Sequence, residues 1–176
     1  MLTEDNKIRI LKLFFEGPNE RLHLREVARR VELSATGAMK ILRGLEKESL
    51  LKKERAAVTV VYRGNYDNEK FIALKRALNI YSLNSSGLVS ELVDFFKIPE
   101  CIVIFGSYAK GEDAKESDID IAVMTNMKEY PQLDAYEDDL KRKISLHLID
   151  NIKNEEKDFI NTLANGIVIY GYLEVI

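Results

Sequence analysis

Residues 101–124 place the tightest constraint on what this chain can fold into. Cys101-Ile102-Val103-Ile104-Phe105 is an unbroken apolar run that stops at Gly106-Ser107. A polar loop follows, and Ser117-Asp118-Ile119-Asp120 then opens a second apolar run over 121–124. The pattern predicts strand, turn, loop and strand. Side chains two positions apart on a strand project from one face, so Asp118 and Asp120 are expected side by side. Neighbouring carboxylates repel unless a cation lies between them. A hard, oxygen-seeking ion such as Mg²⁺ uses such a pair while leaving room for phosphates. Gly106 and Ser107 offer backbone amides and a hydroxyl at a turn, a combination that suits phosphate oxygens. A Gly-Ser pair alone is ordinarily only a turn, and Asp-x-Asp alone only a solvated strand end. Their order and spacing, with an apolar run on each side, is what points to a site.

Gly106-Ser107-Tyr108-Ala109-Lys110-Gly111, followed by Ser117-Asp118-Ile119-Asp120-Ile121-Ala122-Val123, resembles the signature of the DNA polymerase β-like nucleotidyltransferase superfamily. The likeness is greatest to its minimal nucleotidyltransferases and covers residues 85–176. It implies an α+β domain with a mixed sheet and helices. It implies Asp118 and Asp120 as catalytic and metal-binding residues, and Gly106, Ser107, Lys110 and Ser117 as the nucleotide-binding set. The cofactors implied are Mg²⁺ or Mn²⁺ and an NTP, with ATP expected. Members of this superfamily carry a third carboxylate in an apolar-Asp-apolar triplet on a following strand. Here the triplet reads Leu146-His147-Leu148. His147 as a metal ligand is one reading, although Mg²⁺ prefers oxygen. Substitution by Asp150 or Glu112 is another. The third, and the one preferred, is a site that binds metal and nucleotide with impaired transfer.

Charge divides the chain. Residues 1–63 hold 14 Lys/Arg and 9 Asp/Glu, a balance of +5, whereas residues 64–176 hold 12 and 20, a balance of −8. Two domains with different partners are expected, the basic one compatible with nucleic acid. No apolar run approaches the 18 or so residues of a membrane span. The polar, acidic start Met1-Leu2-Thr3-Glu4-Asp5-Asn6 does not resemble a signal peptide. A single cysteine, Cys101, cannot make an internal disulfide, and with two histidines, His23 and His147, it argues against a structural zinc site. A cytoplasmic location is expected.

The first half reads as helices. Ile8, Leu11, Phe14 and Phe15 recur at helical spacing over 5–16, and Gly17-Pro18-Asn19 ends that helix. Leu24, Val27, Ala28 and Val31 form the apolar face of a second helix. After a turn at Glu32-Leu33, Ser34 is placed to cap a third helix over 35–48 whose core positions are Ala38, Ile41, Leu42 and Leu45. Ala57–Tyr62 is β-branched and reads as a strand. Two short helices with a tight turn resemble the winged helix-turn-helix of MarR-like and ArsR-like regulators over residues 5–64. The resemblance implies double-stranded DNA as partner of residues 1–65. The third helix would enter the major groove with Thr36, Gly37, Lys40, Arg43 and Lys47. Lys52, Lys53, Arg55 and Arg63 would reach phosphates from the wing.

A linker helix is expected within 66–84, its stripe Phe71, Leu74, Leu78 and Tyr81 also suited to a homodimer. Ser82–Gly87 is the expected boundary before a domain at 85–176. There, helices are expected over 87–97, 133–143 and 154–164, an alternating strand over Ile144–Ile149 and a closing strand at Ile167–Tyr170. The main functional expectation is a DNA-binding transcriptional regulator with a nucleotide- and metal-binding second domain. The alternative is an active Mg²⁺-dependent transferase that moves NMP from an NTP to a protein hydroxyl. The resemblance also implies a toxin-like protein partner, and a protein tyrosine is one candidate for the acceptor hydroxyl. A nucleic-acid-modifying transferase is a weaker third.

Overall fold

The structure is a computed structural model that describes residues 5–17, 19–56 and 59–174. The expectations for residues 1–4, for Pro18 and for Ala57-Val58 lie outside these. The chain separates into two units, Met1–Lys75 and Arg76–Ile176.

The first unit begins with α1 (Asn6–Phe14), β1 (Leu22–His23), α2 (Leu24–Arg30) and α3 (Ala35–Lys47). The Asp5 carboxylate accepts the Lys7 amide at 3.2 Å and caps α1. The Ser34 hydroxyl accepts the Gly37 amide at 3.1 Å and caps α3, meeting donors that the first helical turn leaves free. Between α2 and α3, Glu32 takes a left-handed conformation with φ 55°, which turns the chain sharply. The helical faces meet in a core of Ile10, Leu11, Phe14, Val27, Ala28, Ala38, Leu42 and Leu45. The strands β2 (Leu51–Ala56) and β3 (Thr59–Gly64) form an antiparallel hairpin, and β3 also pairs with β1. Charged Lys52–Arg55 is tolerated in β2 because that strand is an edge of the sheet, where water reaches one side.

Helix α4 (Glu69–Ser85) carries the division between the units. It runs past Tyr81, the last residue of the expected apolar stripe, because its polar tail is bonded back onto its own turns. Asn84 Nδ2 donates to the Ile80 carbonyl at 2.9 Å and the Ser85 hydroxyl to that of Ser82 at 3.2 Å.

The second unit continues with α5 (Leu88–Phe95), β4 (Cys101–Phe105), α6 (Gly106–Lys110), β5 (Ile119–Met124), α7 (Asp134–Leu140), β6 (Ile144–Ile149), α8 (Lys157–Ala164) and β7 (Ile167–Gly171). Its four strands lie in the order β6-β5-β4-β7. The β4–β5 and β4–β7 pairs are antiparallel and β5–β6 is parallel, so the sheet is mixed and the unit is α+β. Both faces are covered. Ile102, Ile104, Ile119, Ile121 and Val123 pack with Leu83, Leu88, Leu92, Phe96 and Tyr108. Cys101, Val103, Phe105, Ala122 and Met124 pack on the other side with Ile149 and Leu163. All five residues of β4 are therefore buried, which is why that strand reads as a continuous apolar run instead of an alternation. Among the described residues, no helix is long and apolar enough to cross a membrane.

Candidate active site at the β4–β5 edge

The site lies where β4 ends and β5 begins. Antiparallel pairing sets Phe105 opposite Asp120, so the residue that follows β4, Gly106, lies against the Asp120 carboxylate. Gly106 has φ +70°, a left-handed conformation that costs glycine nothing and other residues about 1–2 kcal/mol. From it the chain enters α6, with Ser107 half-exposed and Lys110 exposed in the last turn. The Ser107 carbonyl accepts the Glu112 amide at 3.0 Å.

Asp118 is exposed and Asp120 half-buried. Burial holds the Asp120 carboxyl above the usual carboxylate range; His147 opposes the rise and the Asp118 charge adds to it. Among the described residues, neither carboxylate has a hydrogen bond or an ion-pair partner. Two adjacent acids without a protein cation, one of them already desolvated, are matched to one hard divalent ion. Such an ion takes one or two carboxylates and completes its shell with water and phosphate oxygens.

Parallel pairing puts Ser145 beside Asp120 and His147 beside Ala122. These four residues share a face, because paired strand residues and residues two apart project the same way. The His147 ring packs on Phe105 and Phe159, with centroids 5.3 and 5.8 Å away. Its Nε2 lies 3.2 Å from the Ser145 hydroxyl. Among the described residues, no group of three or more His, Cys, Asp or Glu side chains is arranged to hold a metal. His147 thus reaches Asp120 through its electrostatic field, inside an aromatic packing site. Asp150 sits past the far end of β6, paired with Lys128 at 3.1 Å, since Met124, not Asp120, is level with Ile149. Glu112 is exposed on the loop after α6.

Ser117 is engaged within the loop, where its hydroxyl accepts the Ala114 amide at 2.9 Å. An open cavity of about 330 Å³ adjoins it, with Ser117, Asp118, Lys141 and Arg142 in its lining. The residues that hold this loop escaped sequence reasoning. Asp113 is fully buried and bonded to Arg142 and Asn79, each at 2.9 Å. An acid in a loop, an amide on a helix and one arginine in a charged run carry no signal that they meet.

On the first unit, Thr36, Lys40, Arg43 and Lys47 lie at successive turns of α3 and are all exposed. Gly37 is half-buried, with its amide bonded to the cap. On the hairpin, Lys53 and Arg55 are exposed, whereas Lys52 is ion-paired with Asp67 and Arg63 with Glu54.

Residues 88–174 match the model of the family described as polymerase beta, nucleotidyltransferase. A protein of Methanocaldococcus jannaschii named as a putative protein adenylyltransferase is 47% identical over 45 residues, which are 26% of this chain and 44% of that protein. The match thus spans less than half the length of the relative. With the mixed sheet and the paired carboxylates, the second unit carries a nucleotidyltransferase-like domain over residues 88–174.

Proposed function

We propose that the protein is a divalent-metal-dependent nucleotidyltransferase that moves NMP from an NTP, ATP in the first instance, to a hydroxyl of a protein. The observation that carries this reading is the Asp118–Asp120 pair, which lacks any protein partner among the described residues and is set against Gly106 at the end of β4. The match to the nucleotidyltransferase family and the name of the archaeal relative support it.

In the reaction, the acceptor oxygen forms a bond to the α-phosphorus while the bond from that phosphorus to the bridging oxygen breaks. Pyrophosphate leaves, and the hydroxyl proton passes to solvent. A bound Mg²⁺ or Mn²⁺ supplies charge neutralisation of the triphosphate. Asp118 and Asp120 would hold that ion. Ser107 offers its hydroxyl and Lys110 its ammonium to phosphate oxygens. Gly106 leaves room for the Asp120 carboxylate and for close approach of the triphosphate to the backbone. The rate gain comes from positioning and from charges fixed in advance. His147 tempers the desolvation of Asp120 instead of adding a third acid. The test is incubation with labelled ATP and Mg²⁺ or Mn²⁺, alone and with candidate protein acceptors. Label should pass to protein, and Asp118→Ala or Asp120→Ala should abolish the transfer. Nucleotide and metal binding without transfer would reduce the domain to a site that binds both with impaired transfer.

A second reading concerns the first unit. We infer that its three helices and hairpin act as a winged helix-turn-helix on double-stranded DNA, which would make the protein a regulator as well. The supporting observation is the exposed stripe Lys40, Arg43 and Lys47 on α3, which has no ion-pair partner among the described residues. A footprint on the promoter of its own gene, lost in Lys40→Ala/Arg43→Ala, is the expected result.

A further inference from the structure

The nucleotidyl-transfer reading needs Asp118 and Asp120 held together, although their charges push them apart. Asp120 is fixed by the sheet, since its backbone lies in register with both Phe105 and Ser145. Asp118 precedes β5 and has no such support. We infer that Arg142 is the positioning residue that supplies it, and that the Arg142–Asp113 pair clamps the 111–118 loop so that Asp118 faces Asp120 before any ion arrives. This inference rests on the reading of the site as a metal-binding transferase centre.

The geometry is as follows. Arg142 Nη2 donates to Asp113 Oδ2 at 2.9 Å. Arg142 Nη1 donates to the carbonyl of Ala114 and, at 3.5 Å, to that of Ser117. One guanidinium therefore spans the loop from Asp113 to Ser117, the residue before Asp118. The residue after Asp118 is held from the same segment, because the Ile119 amide donates to the Lys143 carbonyl at 2.8 Å. Both chain neighbours of Asp118 are thus tied to Arg142 or to the residue beside it. The other end of the clamp is anchored on α4 and α6. Asn79 Nδ2 donates to Asp113 Oδ1 at 2.9 Å and to the Tyr108 carbonyl at 3.0 Å. The Tyr108 hydroxyl donates back to the Asn79 carbonyl at 3.1 Å.

Stability alone does not explain the pair. Taking an acid and a guanidinium out of water offsets most of their attraction, and an apolar pair of similar size often does as well. What a planar, five-donor guanidinium adds is fixed direction: from two nitrogens it reaches one carboxylate and two carbonyls at once, whereas an apolar side chain offers no donor and lysine offers its three from a single nitrogen.

The test measures metal binding and loop order on the full chain, without nucleotide. Mn²⁺ is titrated by electron paramagnetic resonance, and amide exchange is followed over 111–118. The variants are Arg142→Gln, Arg142→Lys and the double variant Asp113→Asn/Arg142→Gln, which removes the charge of both partners together and remains readable where the single variant unfolds. Lys128→Ala, which removes an exposed ion pair past the other end of the sheet, is the control. Wild type and the control should bind Mn²⁺ alike, with the ion lost in Asp118→Ala. Arg142→Gln and the double variant should bind about tenfold more weakly, as outer-shell losses do, with faster exchange in the loop and unchanged exchange in β4. Arg142→Lys should fall between. Wild-type Mn²⁺ affinity in the folded double variant would overturn the clamp alone. Uptake that is absent in wild type, or indifferent to Asp118→Ala, would overturn the transferase reading and the clamp with it.

Discussion

The Asp120 carboxylate fills the space that a side chain at Gly106 would need. A Cβ added at position 106 would overlap Oδ2 of Asp120 and stand 3.2 Å from its Cγ. The glycine is also at φ +70°. Gly87 separates these two constraints, since it has φ +84° but nothing within 4 Å of an added Cβ. Gly87→Ala should therefore cost only the backbone term, about 1 kcal/mol, and leave metal binding unchanged. Gly106→Ala should cost more, about 1–3 kcal/mol, and reduce nucleotidyl transfer by at least tenfold because the Asp120 carboxylate must move. Thermal melts and label transfer, measured on both variants, check the contrast.

The raised proton affinity of Asp120 fixes the sign of a pH effect. Its folded-state pKa lies above the unfolded value, chiefly through burial. Its contribution to stability is therefore fully present below the ordinary carboxylate range, near pH 4, and is lost as pH rises through the folded value. Asp120→Asn removes that loss. In metal-free buffer it should melt higher than wild type at pH 7, with the gap closing as pH falls toward 4. Divalent metal reverses the order. At one hundred times its dissociation constant, an ion bound by wild type adds about 2.7 kcal/mol, and Asp120→Asn should gain little of it. Melting curves at pH 4 and pH 7, with and without Mn²⁺, test both signs.

For the first unit, the DNA reading predicts a graded series. Lys40, Arg43 and Lys47 are exposed without ion-pair partners among the described residues, whereas Lys52 is already neutralised by Asp67. Releasing Lys52 to a phosphate would first break that pair. Lys40→Ala and Arg43→Ala should each weaken DNA binding and lower the slope of log affinity against log salt by about one. Lys52→Ala should change both less. Gel shifts at three salt concentrations separate the outcomes, and equal effects from all three variants would argue for a diffuse charge interaction instead of a groove-bound helix.

What the residues announce and what they conceal follow from the range of the forces involved. β4, the turn and β5 are legible because a strand covered on both faces must be apolar throughout, and its abrupt end at Gly106 marks a backbone that only glycine relaxes. The helices α1 to α3 are legible from a period set by local geometry. The Asp113–Arg142 pair is not, because its partners stand 29 positions apart and polarity along the chain says nothing about which charges meet. The run of α4 through Ser85 is hidden for a different reason. Serine and asparagine read as loop formers, yet here their side chains bond to carbonyls of their own helix. His147 is legible as a substitution in a pattern, while its aromatic surroundings are assembled by α8 and β4 and become visible only in the fold.

Those surroundings give the last prediction. The His147 ring packs against Phe105 and Phe159, which also pack on each other, and its field lowers the proton affinity of Asp120 against the larger effect of burial. Packing and field separate in two variants. His147→Phe keeps an aromatic ring in the site and removes the imidazole, so the fold should hold while the Asp120 carboxyl rises further. Mn²⁺ binding should then be lost at a higher pH on acidification than in wild type. His147→Ala removes both. It should lower stability by about 1–3 kcal/mol through the lost ring contacts and the space left behind, and shift the metal-binding profile in the same direction. A profile unmoved in His147→Phe would show that the ring acts on the site by packing alone. A single Mn²⁺ titration series across pH 5 to 8, run with melts of the same samples, decides between the two.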